Sequence, residues 1–302
     1  MTRRLSVCVT GGTGLVGKGL EETRPRGISL ISTHLRDYPV AGPRVRRALM
    51  DVRDKRQVEA FFRRCRCDVV VHAAGVANVD YTEAHYLESW ESNVIGTFNI
   101  VSACQRHGSR LIYVSSNAVF DGASAPYRET DPLRPVNRYG AIKAECEQIV
   151  RAMAGPWTIV RPILMYGWNH ASGRQNFVTW VSHALRQGTP LHLVTDVYEN
   201  PLQYQQMGRA VWAIVQRRLT GVFHVAGGEV VNRYRFAREV AEVFGLKRSL
   251  IRPVRSSFFP SIAPRPANTS LATRRMEQEL GVRPLSIQEG LRAMQAQQRN
   301  GR

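Results

Sequence analysis

The chain has 302 residues, 43% of them hydrophobic and 22% charged, which suffices for one large domain or two fused ones and excludes a disulfide-stapled miniature fold. No tract approaches the ~20 consecutive apolar residues of a membrane helix, and the basic Met1-Thr2-Arg3-Arg4 start runs through Leu5–Val9 into glycines, so a soluble chain without a targeting segment is expected. The net charge of +18 is carried by 38 arginines and only four lysines, scattered without a run of five or an aromatic-interleaved stripe, which argues against nucleic acid and for attraction of anionic small molecules.

Leu5–Val9 reads as a strand ending in Thr10-Gly-Gly-Thr-Gly-Leu-Val-Gly17, with a helix continuing over Lys18–Glu22. Glycines in a strand-turn-helix context let the backbone approach a pyrophosphate at the positive helix end, which assigns Gly11, Thr13, Gly14, Leu15, Val16 and Gly17 to a dinucleotide. A strand at Ile28–Ser32 follows, and at its end an acid would read a free ribose 2′-hydroxyl, a base a 2′-phosphate. His34 and Arg36 stand there with Asp37 just beyond; the order favours NADPH over NADH, with Arg36 as the phosphate partner. Asp51-Val52, after a third short β segment, is placed to meet the adenine. Helices over Lys55–Cys65, Ala84–His107 and Tyr139–Met153 alternate with strands at Asp68–His72, Arg110–Ser115 and Trp157–Arg161, the pattern of a doubly wound parallel sheet of Rossmann type.

Beyond Pro162 the regularity weakens. Helices are expected at Arg174–Gln187, Met207–Leu219, Tyr234–Phe244 and Ile287–Gln297, strands at Leu191–Val194 and Val222–Ala226, and a loop from Arg252 to Asn268. The division predicted is a dinucleotide-binding domain over 1–162 and a smaller α/β substrate-binding region over 163–302, interleaved with the first. Five cysteines (Cys8, Cys65, Cys67, Cys104, Cys146) lack paired metal-ligand spacing and read as reduced thiols of a cytoplasmic protein; no magnesium-ligand pattern is visible either.

The strongest constellation is Tyr139-Gly-Ala-Ile-Lys143 with Ser115-Ser116 upstream at the end of a strand. Positions four apart share a helix face, so the phenol and the ammonium point the same way. A phenol of ordinary pKa ~10 is a poor acid-base group at neutral pH, and a neighbouring ammonium would lower it. Lys143 is one of four lysines in a chain that otherwise uses arginine, which suggests that a compact charge matters there.

These residues resemble the extended short-chain dehydrogenase/reductases, whose marks are the TGxxGxxG turn, the YxxxK pair and a preceding Ser or Thr. His72-Ala73-Ala74-Gly75 is similar to the family's segment after the fourth strand, and Asn93-Val-Ile-Gly-Thr97 to its mid-helix Asn motif. Within the family the likeness runs to the dTDP-4-dehydrorhamnose reductases: Val114-Ser-Ser-Asn-Ala-Val-Phe-Asp-Gly122 resembles their VSTDYVFDG signature, Pro126-Tyr127-Arg128-Glu129 their PYxE run, and Val79-Asp80, Asn176-Phe177-Val178, Asn200-Pro201 and Arg265-Pro266-x-Asn268 fall in the expected order. Asn117, Ala118 and Ala272 depart from the pattern, as does Leu202-Gln-Tyr-Gln-Gln206, which suggests a different sugar.

The resemblance implies that Tyr139 gives a proton to a substrate carbonyl oxygen held by Ser116 while a nicotinamide delivers hydride, with Lys143 on the ribose and Ala73, Ala74, Gly75 and Asn93 about the cofactor. It implies a nucleotide-sugar substrate met by Val79, Asp80, Asn117, Asn176 and Arg265, the last as a fork for the diphosphate. His72 reads as packing, and Asp121 and Asp80 equally as loop-orienting groups. Three functions stay open: a reductase of a nucleotide-linked 4-keto-6-deoxy sugar, an NAD-retaining epimerase or dehydratase, and a non-catalytic NADP-binding subunit like the regulatory β-subunit of methionine adenosyltransferase, whose GTFH segment Gly221-Val-Phe-His224 resembles. Relatives are often homodimers.

Overall fold

Four- to six-residue runs rich in Val, Ile and Leu are buried on both faces and form the central strands, while each surrounding helix buries one stripe. The computed structural model describes residues 4–36, 45–170, 174–260 and 263–299; Asp37 lies outside them. The first part of the chain runs β1 (Ser6–Thr10), α1 (Leu15–Glu22), β2 (Ser29–His34), β3 (Arg46–Leu49), α2 (Lys55–Arg64), β4 (Val69–His72), α3 (Val79–Ala84), α4 (Tyr86–Trp90), α5 (Gly96–His107), β5 (Arg110–Val114), α6 (Arg138–Arg151) and β6 (Trp157–Pro162). There follow β7 (Met165–Tyr166), α7 (Phe177–Arg186), β8 (Leu191–Val194), β9 (Tyr198–Glu199), β10 (Leu202–Gln203), α8 (Tyr204–Arg217) and β11 (Gly221–Val225). The last elements are β12 (Val231–Asn232), α9 (Arg233–Val243), β13 (Ile251–Val254), α10 (Arg274–Gln278) and α11 (Ile287–Arg299).

Seven parallel strands form one sheet in the order β11-β6-β5-β4-β1-β2-β3. The order reverses between β1 and β4, the point at which such sheets open a crevice beyond their carboxyl ends. Strand parity divides the core: Val7, Val9, Val69 and Val71 pack on one face with Met207, Val211 and Ile214 of α8, whereas Cys8 and Val70 pack on the other with Phe61, Ile100 and Ile142 of α2, α5 and α6. Helices α1 and α8 touch backbone to backbone, because a Cβ on Gly19 would meet Tyr204 O at 2.4 Å and one on Gly208 would meet Gly19 O at 2.3 Å. A separate core of Val178, Leu185, Leu191, Phe236, Val240 and Leu291 supports the second part.

Two expectations need correction. The long helix over Ala84–His107 is broken: Asn78 caps an earlier start, His85 leaves helical geometry (φ −126°, ψ 59°), and a π turn spans Glu91–Ile95. There the Asn93 amide donates to Ser89 O at 2.8 Å, competing with the backbone ladder. Arg252–Val254 is not loop but strand, paired in parallel with β8 around buried Ile251. The chain also recrosses the Pro162 boundary, with α8 packed on α1 and β11 as the sheet's seventh strand.

Candidate active site

A cleft of about 1470 Å³ opens at the carboxyl ends of the central strands, between them and the second part of the chain. At one end is the glycine turn. Gly11 has φ +68°, and a Cβ there would lie 2.8 Å from the Ala74 backbone, so the turn is pressed against the segment after β4. Helix α1 starts at Gly14 with no side-chain cap, whereas Asp54, Asn78, Asn137, Asn176, Gln203 and Asn232 cap α2, α3, α6, α7, α8 and α9 among the described residues. The first amides of α1 therefore face the cleft that Leu15 and Val16 line, free for an anion.

The opposite wall of the turn is set by Thr10. Its Oγ1 accepts from Ala73 N and Ala74 N, both at 3.2 Å, and contacts His72 Nδ1 at 2.7 Å. With its lone pairs so used, the hydroxyl donates to Nδ1, which leaves the ring proton on Nε2, 3.2 Å from Thr97 Oγ1. Burial, helped by the Lys143 charge, pulls the His72 pKa down to about 3, so this histidine is a neutral strut. Gly75 (φ +144°) completes the segment; Asn93 Oδ1 stands where its Cβ would be, and the Asn93 amide donates to Val76 O at 3.2 Å.

The candidate reactive set lies midway. Ser116 caps the short 3₁₀ turn Asn117–Val119: its Oγ accepts from Ala118 N at 3.1 Å and donates to Asn117 Oδ1 at 3.3 Å. Asn117 in turn donates to Thr269 Oγ1 at 2.7 Å. Helix α6 is clamped onto this turn because a Cβ on Gly140 would meet Ala118 O at 2.1 Å. Tyr139 and Lys143 are both buried and line the cleft. Burial pushes the Tyr139 phenol up to about 12, against the lowering effect of the Ser116 hydroxyl. The expected acidification by Lys143 is not the governing effect here. Lys143 Nζ donates to Val114 O at 3.0 Å and Tyr113 Oη at 3.2 Å, and its own pKa is lowered by desolvation.

Beneath α6 lies a wholly buried ion pair. Arg161 Nε and Nη2 donate to Glu147 Oε1 and Oε2, each at 2.8 Å, and Ser115 Oγ donates to Glu147 Oε1 at 2.7 Å. The pair fixes the Tyr139 helix to β6 and to the residue before Ser116.

The far end carries Trp180, Glu199 and Arg233, which sequence reasoning missed. Phe177 and Trp180 form an aromatic wall; Arg233 lies over the Phe177 ring, 5.1 Å from its centroid, and pairs with Glu199 at 2.7 Å. Nothing in a chain with 38 arginines distinguishes Arg233 beforehand. Arg265, read as a diphosphate fork, is found on Asp80 at 2.8 Å.

Gly11, Thr13, Gly14, Leu15, Val16, Ala73, Ala74, Gly75, Val79, Asp80, Ser116, Asn117, Tyr139, Lys143, Asn176 and Arg265 all line this one cleft. Five expected residues lie outside its described wall. A Cβ on Gly17 would meet Gly12 O at 2.1 Å, so Gly17 serves the packing of the turn. Asn93 supports Gly75 from behind. Arg36 is exposed just past β2. Asp51 is tied to Arg53, which holds its carboxyl below the usual range, and Val52 is buried where it would obstruct a Cβ on Gly96. Leu202–Gln206 also lie outside the described wall: Leu202 and Gln203 form β10, Gln203 caps α8, Tyr204 donates to Glu22, and Gln206 bonds Arg283 O at 2.7 Å. Asp121 accepts from Tyr127 and orients its loop.

Sheet order, uncapped glycine turn and Ser-Tyr-Lys set together define a member of the extended short-chain dehydrogenase/reductase class. More narrowly, residues 5–300 match the RmlD substrate binding domain, and the chain belongs to that family. It is 31% identical over 231 residues to a dTDP-4-dehydrorhamnose reductase of Mycobacterium tuberculosis, covering 74% of each chain. It is 28% identical over 288 residues to the spore coat polysaccharide biosynthesis protein SpsK of Bacillus subtilis, covering 95% of each. The structure of a dTDP-4-dehydrorhamnose reductase from Bacillus anthracis in complex with NADP shares the fold, with a TM-score of 0.87 and 24% identity over 98% of this chain and 100% of that one.

Proposed function

We propose that this chain is an NADPH-dependent reductase of a nucleotide-linked 4-keto-6-deoxy sugar, in the manner of the dTDP-4-dehydrorhamnose reductases it resembles. The observation that carries the reading is the meeting of Ser116, Tyr139 and Lys143 with an uncapped glycine turn in one cleft. The α1 amides and the segment Ala73–Gly75 hold the dinucleotide, with Arg36 at its 2′-phosphate. When bound, the reduced nicotinamide supplies hydride to the substrate's carbonyl carbon.

Tyr139 is the proton donor. With its pKa raised to about 12 by burial, the phenol keeps its proton at neutral pH and gives it up only as charge develops on the carbonyl oxygen. Ser116 holds that oxygen beside the phenol. Lys143 spends two of its three donors on Val114 O and Tyr113 and directs the third to ribose hydroxyls. Val79, Asn117 and Asn176 shape the sugar end, and Arg265 takes the diphosphate. No described helix is long and apolar enough to cross a membrane; with five free thiols, the reaction is assigned to the cytoplasm.

The test is NADPH absorbance during incubation with a panel of keto-sugar nucleotides. Consumption with one of them supports the reductase and names its substrate class. Tight NADPH binding without turnover on the whole panel would refute it in favour of a regulatory subunit.

A further inference from the structure

Asp80 and Arg265 face each other across the cleft. Asp80 belongs to the first turn of α3, directly after the dinucleotide segment, and Arg265 to the stretch returning from the C-terminal part. Arg265 Nη2 lies 2.8 Å from Asp80 Oδ2, and Nη1 donates to Ala263 O at 3.2 Å. The backbone carrying Arg265 is pinned on both sides. Asn137, the cap of the Tyr139 helix, donates to Pro264 O at 3.0 Å, and Tyr198 N donates to Ala267 O at 2.8 Å. Any exchange of partner therefore falls to the side chain.

The two side chains are 37% and 45% exposed, so their pairing is weak and readily exchanged. A diphosphate carries more charge than one carboxylate and offers paired oxygens that suit a guanidinium fork. Asp80 and Glu199 are the carboxylates on the described wall of the cleft, and each is held by an arginine, Arg265 and Arg233 respectively. Two of the arginines that line the cleft are thus held by its own acids.

We infer that Asp80 holds Arg265 across the cleft mouth and yields it to the diphosphate of the incoming substrate, so that Asp80 acts as an internal competitor and not as a substrate ligand. This deepens the nucleotide-sugar reading and rests on it. A sugar without the diphosphate has nothing to draw Arg265 from Asp80.

The test is calorimetric titration of the NADPH-loaded protein with dTDP, UDP and GDP in turn, for wild type, Asp80→Asn, Arg265→Gln and the double variant, with melting temperature and NADPH affinity as fold controls. Asp80→Asn is expected to bind the preferred diphosphate ~2- to 5-fold more tightly, the scale of an exposed ion pair. Arg265→Gln should bind it roughly 10- to 100-fold more weakly. In the Arg265→Gln background the gain from Asp80→Asn should vanish. Weaker or unchanged binding by Asp80→Asn, a gain that persists without Arg265, or no binding of any diphosphate each overturns the proposal. Turnover of a keto-sugar nucleotide is measured separately: turnover with the wrong signs sinks the exchange and leaves the reductase, while the right signs without turnover do the reverse.

Discussion

Arginine-carboxylate pairs hold together two regions of this site, and they do so under opposite conditions. Arg161 and Glu147, beneath the Tyr139 helix, are 1% and 0% exposed and bonded twice, with Ser115 as a third partner. Arg265 and Asp80, at the cleft, are 37% and 45% exposed and joined by a single ion-pair contact. In the dry setting Glu147 cannot leave without stranding Arg161, so the pair is a fixture. At the cleft, water and anions compete for both partners, so the pair can be exchanged. The difference teaches that solvent access, more than the chemistry of the pair, decides whether it builds the site or serves the ligand.

The comparison can be broken from several directions. Tyr139→Phe should have the largest effect, cutting NADPH-dependent turnover by ~10²- to 10⁴-fold through loss of the general acid while the melting temperature stays put. Activity equal to wild type would remove the chemistry from the buried region altogether. Glu147→Gln should lower stability by ~3–5 kcal/mol in urea denaturation, because the Arg161 charge is left buried and unpaired. Asp80→Asn should change stability by less than about 1 kcal/mol in the same experiment. Equal losses for the two would show that burial does not separate them.

The sequence makes backbone-borne features legible and hides most side-chain partnerships. The alternation of strands and helices in the first 162 residues, the glycine turn and the four-residue spacing of Tyr139 and Lys143 are local patterns, and apart from the broken Ala84–His107 helix they are found where their periods place them. Tyr139 shows the limit: spacing on a helix gives a neighbour but not the degree of burial, and burial is what moves its pKa. The π turn sits where the Asn93 side chain reaches Ser89 O, a choice that no hydrophobic pattern encodes. The Asp80 partner of Arg265 and the Glu199 partner of Arg233 come from distant segments brought together only by the fold. Asp51 is the opposite case, since its Arg53 partner stood two residues away.

The glycine turn carries the same division into a single motif and gives its finest test. Gly17 and Gly14 look equivalent in the TGxxGxxG pattern, yet a Cβ on Gly17 would lie 2.1 Å from Gly12 O and 2.5 Å from the Gly12 carbon atoms. These are backbone atoms that cannot turn aside, so Gly17→Ala should destabilise the fold by about 1–3 kcal/mol. A Cβ on Gly14 would meet nothing nearer than Gly11 O at 3.5 Å, at an ordinary φ of −79°. Gly14→Ala should therefore keep the urea midpoint and lose roughly tenfold in NADPH affinity, because the methyl occupies the space through which a pyrophosphate reaches the α1 amides. Urea titration and NADPH fluorescence on the two variants separate the effects. A Gly14→Ala protein that melts early but binds normally would show that the turn's middle glycine, too, belongs to the scaffold.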